Sequence, residues 1–278
     1  MEQFRRGSLV FDVRDRGPED AAEAVVLLHG FPASAACWDG VVPVLVEAGY
    51  RTLAPNQRGF SPSARPTGRR AYRQSERVGD VLALADAAGL SRFHVVGHDF
   101  GAEVAWALAD RHADRLLSLT SVSVAHPRAF AKAFTRSTQA LQSWYMFAVQ
   151  VPVAPERAFL ARGGRFLRWN LVRSGLAEDV ADRYVEHMRQ PGALTAALNW
   201  YRGLTPGELA GPIRVPTLFV WSTEERFVNR AAAYDTGRYV TGPYRFEVLE
   251  GVSHWVPEEA PDRLAALVLD HVGQHSRR

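Results

Sequence analysis

The chain has 278 residues, 47% of them hydrophobic and 23% charged, with one cysteine, Cys37. That is the composition of a globular protein with a sizeable core, and it excludes disorder, collagen-like or coiled-coil architecture and an intramolecular disulfide. A net charge of +3 invites nucleic acid as a partner, but 30 acidic residues are interspersed among 33 basic ones, 32 of which are arginine, a bias that reads as codon usage rather than phosphate binding.

At about 100–200 residues per domain the length suits one domain, or one domain with an insertion. Short apolar runs at Ser8–Val13, Ala24–His29, Arg51–Ala54, Phe93–Gly97 and Leu116–Val122 read as strands. Helical patterns at Trp38–Ala48, Ser75–Ala88 and Gly101–Arg111 lie between them. This alternation predicts βαβ units and a mostly parallel sheet. From Pro127 the pattern becomes purely helical, with predicted helices at Ala129–Val149, Pro155–Arg168, Glu178–Arg189 and Pro191–Leu204. Buried strands are then expected at Val215–Trp221 and Tyr244–Leu249, and a final amphipathic helix at Pro261–Val272. His126-Pro127 and Gly211-Pro212 punctuate the change, so an α/β core (1–127 and 213–278) interrupted by a helical lid (128–212) is expected. No apolar run approaches the roughly 18 residues of a membrane span, and Met1–Gly7 carries no apolar signal region. A soluble, cytoplasmic protein without membrane or nucleic-acid partners is expected. The densest basic patch, Arg65, Arg69, Arg70, Arg73 and Arg77, sits beside Glu76 and Asp80 and reads as a solvated loop and helix face.

The sharpest motif is Gly97-His98-Asp99-Phe100-Gly101, between a β-branched strand and a helix. Glycines flank a tight strand-to-helix turn whose central residue is held out over the sheet. A carboxylate there is ionised at neutral pH and needs no base to act as nucleophile, which makes Asp99 the candidate. The strand Val25–Leu28 runs into His29-Gly30-Phe31-Pro32. Such a loop, and the residue after an elbow nucleophile, supply oxyanion-hole N–H groups, which nominates the backbone amides of Phe31 and Phe100. His29 reads as a brace for the loop, and Pro32 can adopt a cis bond. His254, in Glu250-Gly251-Val252-Ser253-His254-Trp255, follows the last predicted strand, and the order nucleophile, acid, histidine marks it as the base. His98, beside the nucleophile, lies on the wrong face of the turn. The acid belongs after Thr217–Trp221, where Glu224 and Glu225 compete; only one of two neighbours can point inward, and Glu225 is chosen.

With these motifs the chain resembles the α/β-hydrolase superfamily and, within it, the soluble epoxide hydrolase-like family, over essentially its whole length. Asn199-Trp200-Tyr201-Arg202 adds to the match. The resemblance implies a helical lid in which two tyrosines donate hydrogen bonds to an epoxide oxygen: Tyr201, and Tyr145 in Ser143-Trp144-Tyr145-Met146. It implies opening of an epoxide to a diol through an ester on Asp99, which water activated by His254 hydrolyses, with no cofactor or metal. The family usually has aspartate at the acid position, and this chain has Ser222-Thr223-Glu224-Glu225. Phe31, Phe100, Trp144 and Trp200 are expected to touch a bulky apolar or aromatic epoxide, with Phe147 and Trp169 as further lid aromatics. Two alternatives stand beside this reading. A haloalkane or haloacid dehalogenase uses the same nucleophile, and Trp144 and Trp200 offer indoles for a halide, although Phe100 stands where such enzymes carry Trp or Arg. The other is a non-catalytic ligand-binding homologue.

Overall fold

The apolar runs form strands β2 (Leu9–Arg16), β3 (Ala24–Leu28), β4 (Arg51–Pro55), β5 (Phe93–His98), β6 (Leu116–Val122), β7 (Thr217–Ser222) and β8 (Tyr244–Leu249), preceded by a short strand β1 (Gln3–Arg6). In the computed structural model, which describes residues 1–205 and 209–276, they build one sheet in the order β1-β2-β4-β3-β5-β6-β7-β8. β2 pairs antiparallel with β1 and β4, and every other pairing is parallel. Helices α1 (Val42–Glu47), α2 (Gln74–Ala87) and α3 (Phe100–Arg111) separate the early strands. Between β6 and β7 lie α4 (Pro127–Arg136), α5 (Gln139–Gln142), α6 (Trp144–Ala148), α7 (Ala154–Arg173), α8 (Glu178–Arg189) and α9 (Ala193–Arg202). α10 (Arg230–Asp235) precedes β8, and α11 (Val256–Glu259) and α12 (Pro261–Gln274) follow it.

The inner strands β3, β4, β5, β6 and β7 are buried on both faces, as strands of parallel sheets are. Along β3 the two-residue period sends Val25 and Leu27 into one apolar cluster and Val26 and Leu28 into the other. All four are fully buried, each contributing about 1.5–3 kcal/mol by leaving water. Because β3, β5, β6, β7 and β8 run the same way, the loops after them gather at one carboxyl edge, where ligands of such sheets bind.

The structure departs from the sequence reading in local detail. Predicted helix Ala129–Val149 is three helices, broken where Ser137 adopts extended backbone and bonds Gln139 N and Ala133 O through its own hydroxyl. α7 bends at Ala161–Gly164, where Gly164 has φ +88° and its Cα packs so close to Val185 that a Cβ would lie 2.5 Å from Cγ1. β8 is partly exposed rather than buried, since it is an edge strand with one neighbour. The strand expected from Val215 begins at Thr217, after Pro216, which has no N–H to donate. β1 and α10 have no counterpart in the sequence reading. The helical insertion runs from Pro127 to Arg202; residues 206–208 of the expected 128–212 segment, and 277–278 of the second core segment, lie outside the described residues. No helix among the described residues is long and apolar enough to cross a membrane.

Candidate active site

β5 ends at His98, and α3 begins at Phe100, so Asp99 makes the whole turn with φ 51° and ψ −120°. A non-glycine residue at positive φ costs about 1–3 kcal/mol and is kept only where its surroundings demand it. Here the glycines on either side make the turn sterically possible. A Cβ on Gly97 would sit 2.3 Å from the Gly101 carbonyl oxygen, and one on Gly101 would sit 2.0 Å from that of Leu28. The loop after β3 approaches as closely: a Cβ on Gly30 would lie 2.3 Å from the Asp99 Cβ. That approach lets the Phe31 amide donate to Asp99 Oδ1 at 2.8 Å. Phe100 follows Asp99 in the first turn of α3, and the Phe31–Pro32 peptide is cis. His29 braces the loop from below, with Nε2 accepting from Gln57 N at 3.1 Å and Nδ1 against the Gly30 carbonyl at 2.9 Å.

The loop after β8 brings His254 to the same point. Its Nε2 lies 3.6 Å from Asp99 Oδ2 and its Nδ1 2.6 Å from Glu225 Oε2. The other Glu225 oxygen accepts from the Phe227 amide at 2.7 Å and the Val228 amide at 3.3 Å, so the carboxylate is fixed in orientation and fully buried. Glu224 is exposed. Burial opposes charge on the imidazole, but the Glu225 and Asp99 carboxylates outweigh it and raise His254 to about 10. Burial likewise opposes charge on Asp99, and His254 and the Phe31 amide overcome it and hold that carboxyl below its usual range.

Two residues that sequence reasoning left without a role support this loop. Ser123 Oγ donates to the His254 carbonyl at 2.9 Å, and His98 Nε2 lies 2.9 Å from the same oxygen. Ser123 holds a positive φ of 66° to do so. Burial lowers His98 to about 3, so its ring is neutral and donates from Nε2. A positive φ at a serine leaves no mark in sequence.

Above Asp99 opens a cavity of about 840 Å³ between the carboxyl edge of the sheet and the helical insertion. Asp99, Phe100, Tyr145, Tyr201, Phe147 and Phe227 are among its lining. The Tyr145 and Tyr201 rings meet edge-on at 5.8 Å, and Tyr201 packs edge-on against Phe100 at 4.6 Å and Phe31 at 5.6 Å. Burial first, then the neighbouring carboxylates, pushes Tyr145 well above an ordinary phenol. Burial, Tyr145 and Asp99 do the same to Tyr201. Both are therefore protonated donors at neutral pH, and neither hydroxyl is bonded to a described residue.

Two expectations are corrected. Trp144 is 64% exposed and Trp200 is fully buried with its indole N–H donated to the Arg58 carbonyl at 2.7 Å; neither lines the cavity. Successive helical residues point about 100° apart, so the helices that turn Tyr145 and Tyr201 inward turn their tryptophan neighbours away. Trp169, a further lid aromatic, is half-exposed. In the basic patch Arg77 is buried rather than solvated and Arg65 is half-buried, whereas Arg69, Arg70 and Arg73 are exposed as expected and are among the residues lining the cavity. Among the described residues no cluster of three His, Cys, Asp or Glu is placed to hold a metal.

Residues 23–261 match the family model of the alpha/beta hydrolase fold. The chain is 35% identical over 274 residues to the AB hydrolase superfamily protein YfhM of Bacillus subtilis, spanning 95% of this chain and 94% of that one. It is 31% identical over 259 residues to epoxide hydrolase 3 of Xenopus tropicalis, spanning 88% and 70% respectively. The crystal structure of epoxide hydrolase A from Mycobacterium thermoresistibile matches with a TM-score of 0.84 at 25% identity, over 99% of this chain and 98% of that one. The elbow, the sheet order and these matches together mean that the chain belongs to the α/β-hydrolase fold family as an epoxide hydrolase-like member.

Proposed function

We propose that the protein hydrolyses an epoxide to a vicinal diol through a covalent ester on Asp99, with the helical insertion acting as a lid. The observation that carries this reading is the facing pair of groups across one cavity: an ionised Asp99 on one wall, and the Tyr145 and Tyr201 phenols on the other. Attack of an Asp99 oxygen on an epoxide carbon breaks the C–O bond and develops an alkoxide, a poor leaving group unless protonated as it forms. The phenols supply that proton, being neutral yet far more acidic than an alcohol. The Asp99 oxygen facing His254 is free to attack, while Oδ1 stays on the Phe31 amide and becomes the ester carbonyl. His254, oriented by Glu225, then takes a proton from water, which adds to that carbonyl. The Phe31 and Phe100 amides carry the negative charge on Oδ1. Collapse expels the diol, its departing oxygen taking the remaining proton of the added water, and restores the carboxylate; the tyrosinate left by ring opening is reprotonated from His254. The dehalogenase alternative has less support, because the Trp200 indole is committed to Arg58 and Trp144 faces solvent.

The test is a His254→Gln variant incubated with styrene oxide and read by intact-protein mass. The expected result is a rise equal to the full epoxide mass, localised to Asp99, in a folded protein that does not turn over. A folded variant that binds the epoxide without forming the adduct refutes the two-step reading and favours a non-catalytic binder.

A further inference from the structure

Helices α5 and α6 are turned inside out. The fully buried side chains here are polar: Gln139 donates to Ser143 Oγ at 2.8 Å and to the Phe227 carbonyl at 2.7 Å. The exposed ones, Leu141, Trp144 and Phe147, are apolar and three residues apart, the spacing of one helical side. Val151 and Val153 are exposed after them, and on α7 the exposed Phe166 and Trp169 rings stack at 6.2 Å. Seven of the nine exposed large apolar side chains among the described residues therefore lie between positions 141 and 169. A surface helix in water has the opposite polarity, and apolar exposure gathered in one segment marks a face that meets something less polar than water.

The charge of the segment says what that is. Residues 127–177 hold eight basic side chains and one acidic, Glu156, whereas the rest of the chain holds 25 basic and 29 acidic. Residues 137–155 carry no charge and are flanked by Arg136 and Arg157. Arg136, Arg157, Arg162, Arg165 and Arg173 are exposed and make no ion pair with a described residue; Arg173 lies over the Trp169 ring at 5.1 Å. Apolar side chains among exposed arginines fit the boundary of an anionic bilayer, where aromatics enter the acyl region and guanidinium groups reach the headgroups. A second copy of the chain fits less well, because two identical faces would bring their arginines together. With helices of four and five residues followed by Pro152 and Pro155, the stretch is too broken to span a bilayer and suits its interface. Phe147 is both exposed and part of the cavity lining, so it stands at the opening of the cavity, and docking brings that opening to the lipid.

We propose that this face of the helical insertion docks reversibly on the surface of an anionic lipid bilayer. The docking does not depend on the reaction assigned to the cavity. The probes are unilamellar vesicles of phosphatidylcholine, alone or with phosphatidylglycerol, and the readout is co-sedimentation of the whole chain. Binding to the anionic vesicles should be at least about tenfold tighter than to the neutral ones, since each arginine near such a surface is worth about fivefold, and salt should erode the difference. The variant Arg136→Gln, Arg157→Gln, Arg165→Gln should bind anionic vesicles at least about tenfold more weakly, and the matching lysine variant should recover most of the loss. Arg5→Gln, Arg111→Gln, Arg214→Gln removes the same charge from exposed positions outside the insertion and should cost less than about threefold. Leu141→Ser, Trp144→Ser should also weaken binding about tenfold, because less apolar surface enters the lipid. Phosphatidylglycerol brominated on its acyl chains should quench the tryptophan fluorescence of the wild type, and less so that of Trp144→Phe, Trp169→Phe. The wild-type comparisons hold whether or not a variant folds. Equal or absent retention on the two vesicles, acyl-chain bromines that leave wild-type fluorescence unaltered, or a folded Arg136, Arg157, Arg165 variant that binds as the wild type does overturns the inference. So does a dimer in sedimentation velocity that Leu141→Ser, Trp144→Ser splits, since a second copy then covers the face.

Discussion

Glu225→Gln isolates one hydrogen bond at a group whose geometry is otherwise fixed. In the wild type, Oε1 accepts from two backbone amides and Oε2 faces His254 Nδ1 at 2.6 Å. A glutamine of the same length must turn its carbonyl toward the Phe227 and Val228 amides, because an NH₂ there would face two donors. Its NH₂ then points at Nδ1 and makes that nitrogen an acceptor. The ring proton moves to Nε2, the atom proposed to take a proton from water, and the carboxylate charge that raises His254 is gone. Losing the acid of a hydrolase triad with its geometry intact costs roughly 10⁴-fold through the same tautomer change, and a similar loss is expected here, confined to ester hydrolysis. Stopped-flow and intact-mass measurements on styrene oxide should show near-normal formation of the adduct followed by very slow decay. Glu224→Gln, on an exposed side chain, should change turnover less than about threefold. A Glu225→Gln enzyme within about tenfold of wild type in steady state, or the reverse ranking of the two glutamates, refutes the argument.

Tyr201→Phe should slow adduct formation by roughly 10²-fold, because general acid assistance of that order is lost; Tyr145→Phe should act in the same direction and the double variant should form almost no adduct, as rapid quench would detect. Gly101→Ala forces a Cβ to within 2.0 Å of the Leu28 carbonyl oxygen and should destabilise the fold by about 1–3 kcal/mol in urea titrations, with activity falling further as the elbow shifts. His254 is raised in the folded state to about 10 from an ordinary 6.5, so its contribution to stability is complete below about pH 6.5 and is lost as pH rises toward 10. Melting temperatures of wild type and His254→Gln should therefore converge across that interval, and a parallel pair of curves would contradict the ion-pair geometry.

The parts of this site that depend on local steric rules were legible in sequence. Gly97 and Gly101 flank a residue that must turn sharply, and β3 and β5 are runs too apolar to be anything but buried. Of the two adjacent glutamates, Glu225 lies 2.6 Å from His254 Nδ1 and Glu224 is exposed. What was illegible depends on phase and on distant packing. α5 and α6 have four and five residues, too few for periodicity to say whether Trp144 or Tyr145 faces the cavity. Arg69, Arg70 and Arg73 are exposed, as their sequence reads, but their place in the cavity lining depends on the end of α9, some 130 residues further along the chain. Ser123 looks like any strand-end serine until the loop bearing His254 arrives on its hydroxyl.

The charges around His254 also order the two proposed steps in time. At rest the imidazole lies between two carboxylates and is raised to about 10, so near neutral pH it is a cation and cannot take a proton from water. On the proposed mechanism that cation does no harm to the first step, because Asp99 is ionised without help and the proton for the alkoxide would come from Tyr145 and Tyr201. Ester formation removes the negative charge of Asp99, and with it one of the two influences that opposed burial. The same carboxylate contributes to holding the tyrosines up, so its neutralisation makes each phenol a better acid as the alkoxide grows. In the proposed sequence one covalent event strengthens the proton donors when the epoxide opens and lowers His254, so that its proton can pass to the tyrosinate left by ring opening and Nε2 is freed to act as the base. Glu225 remains ionised behind it throughout, which keeps the imidazole oriented while its basicity is adjusted from the other side.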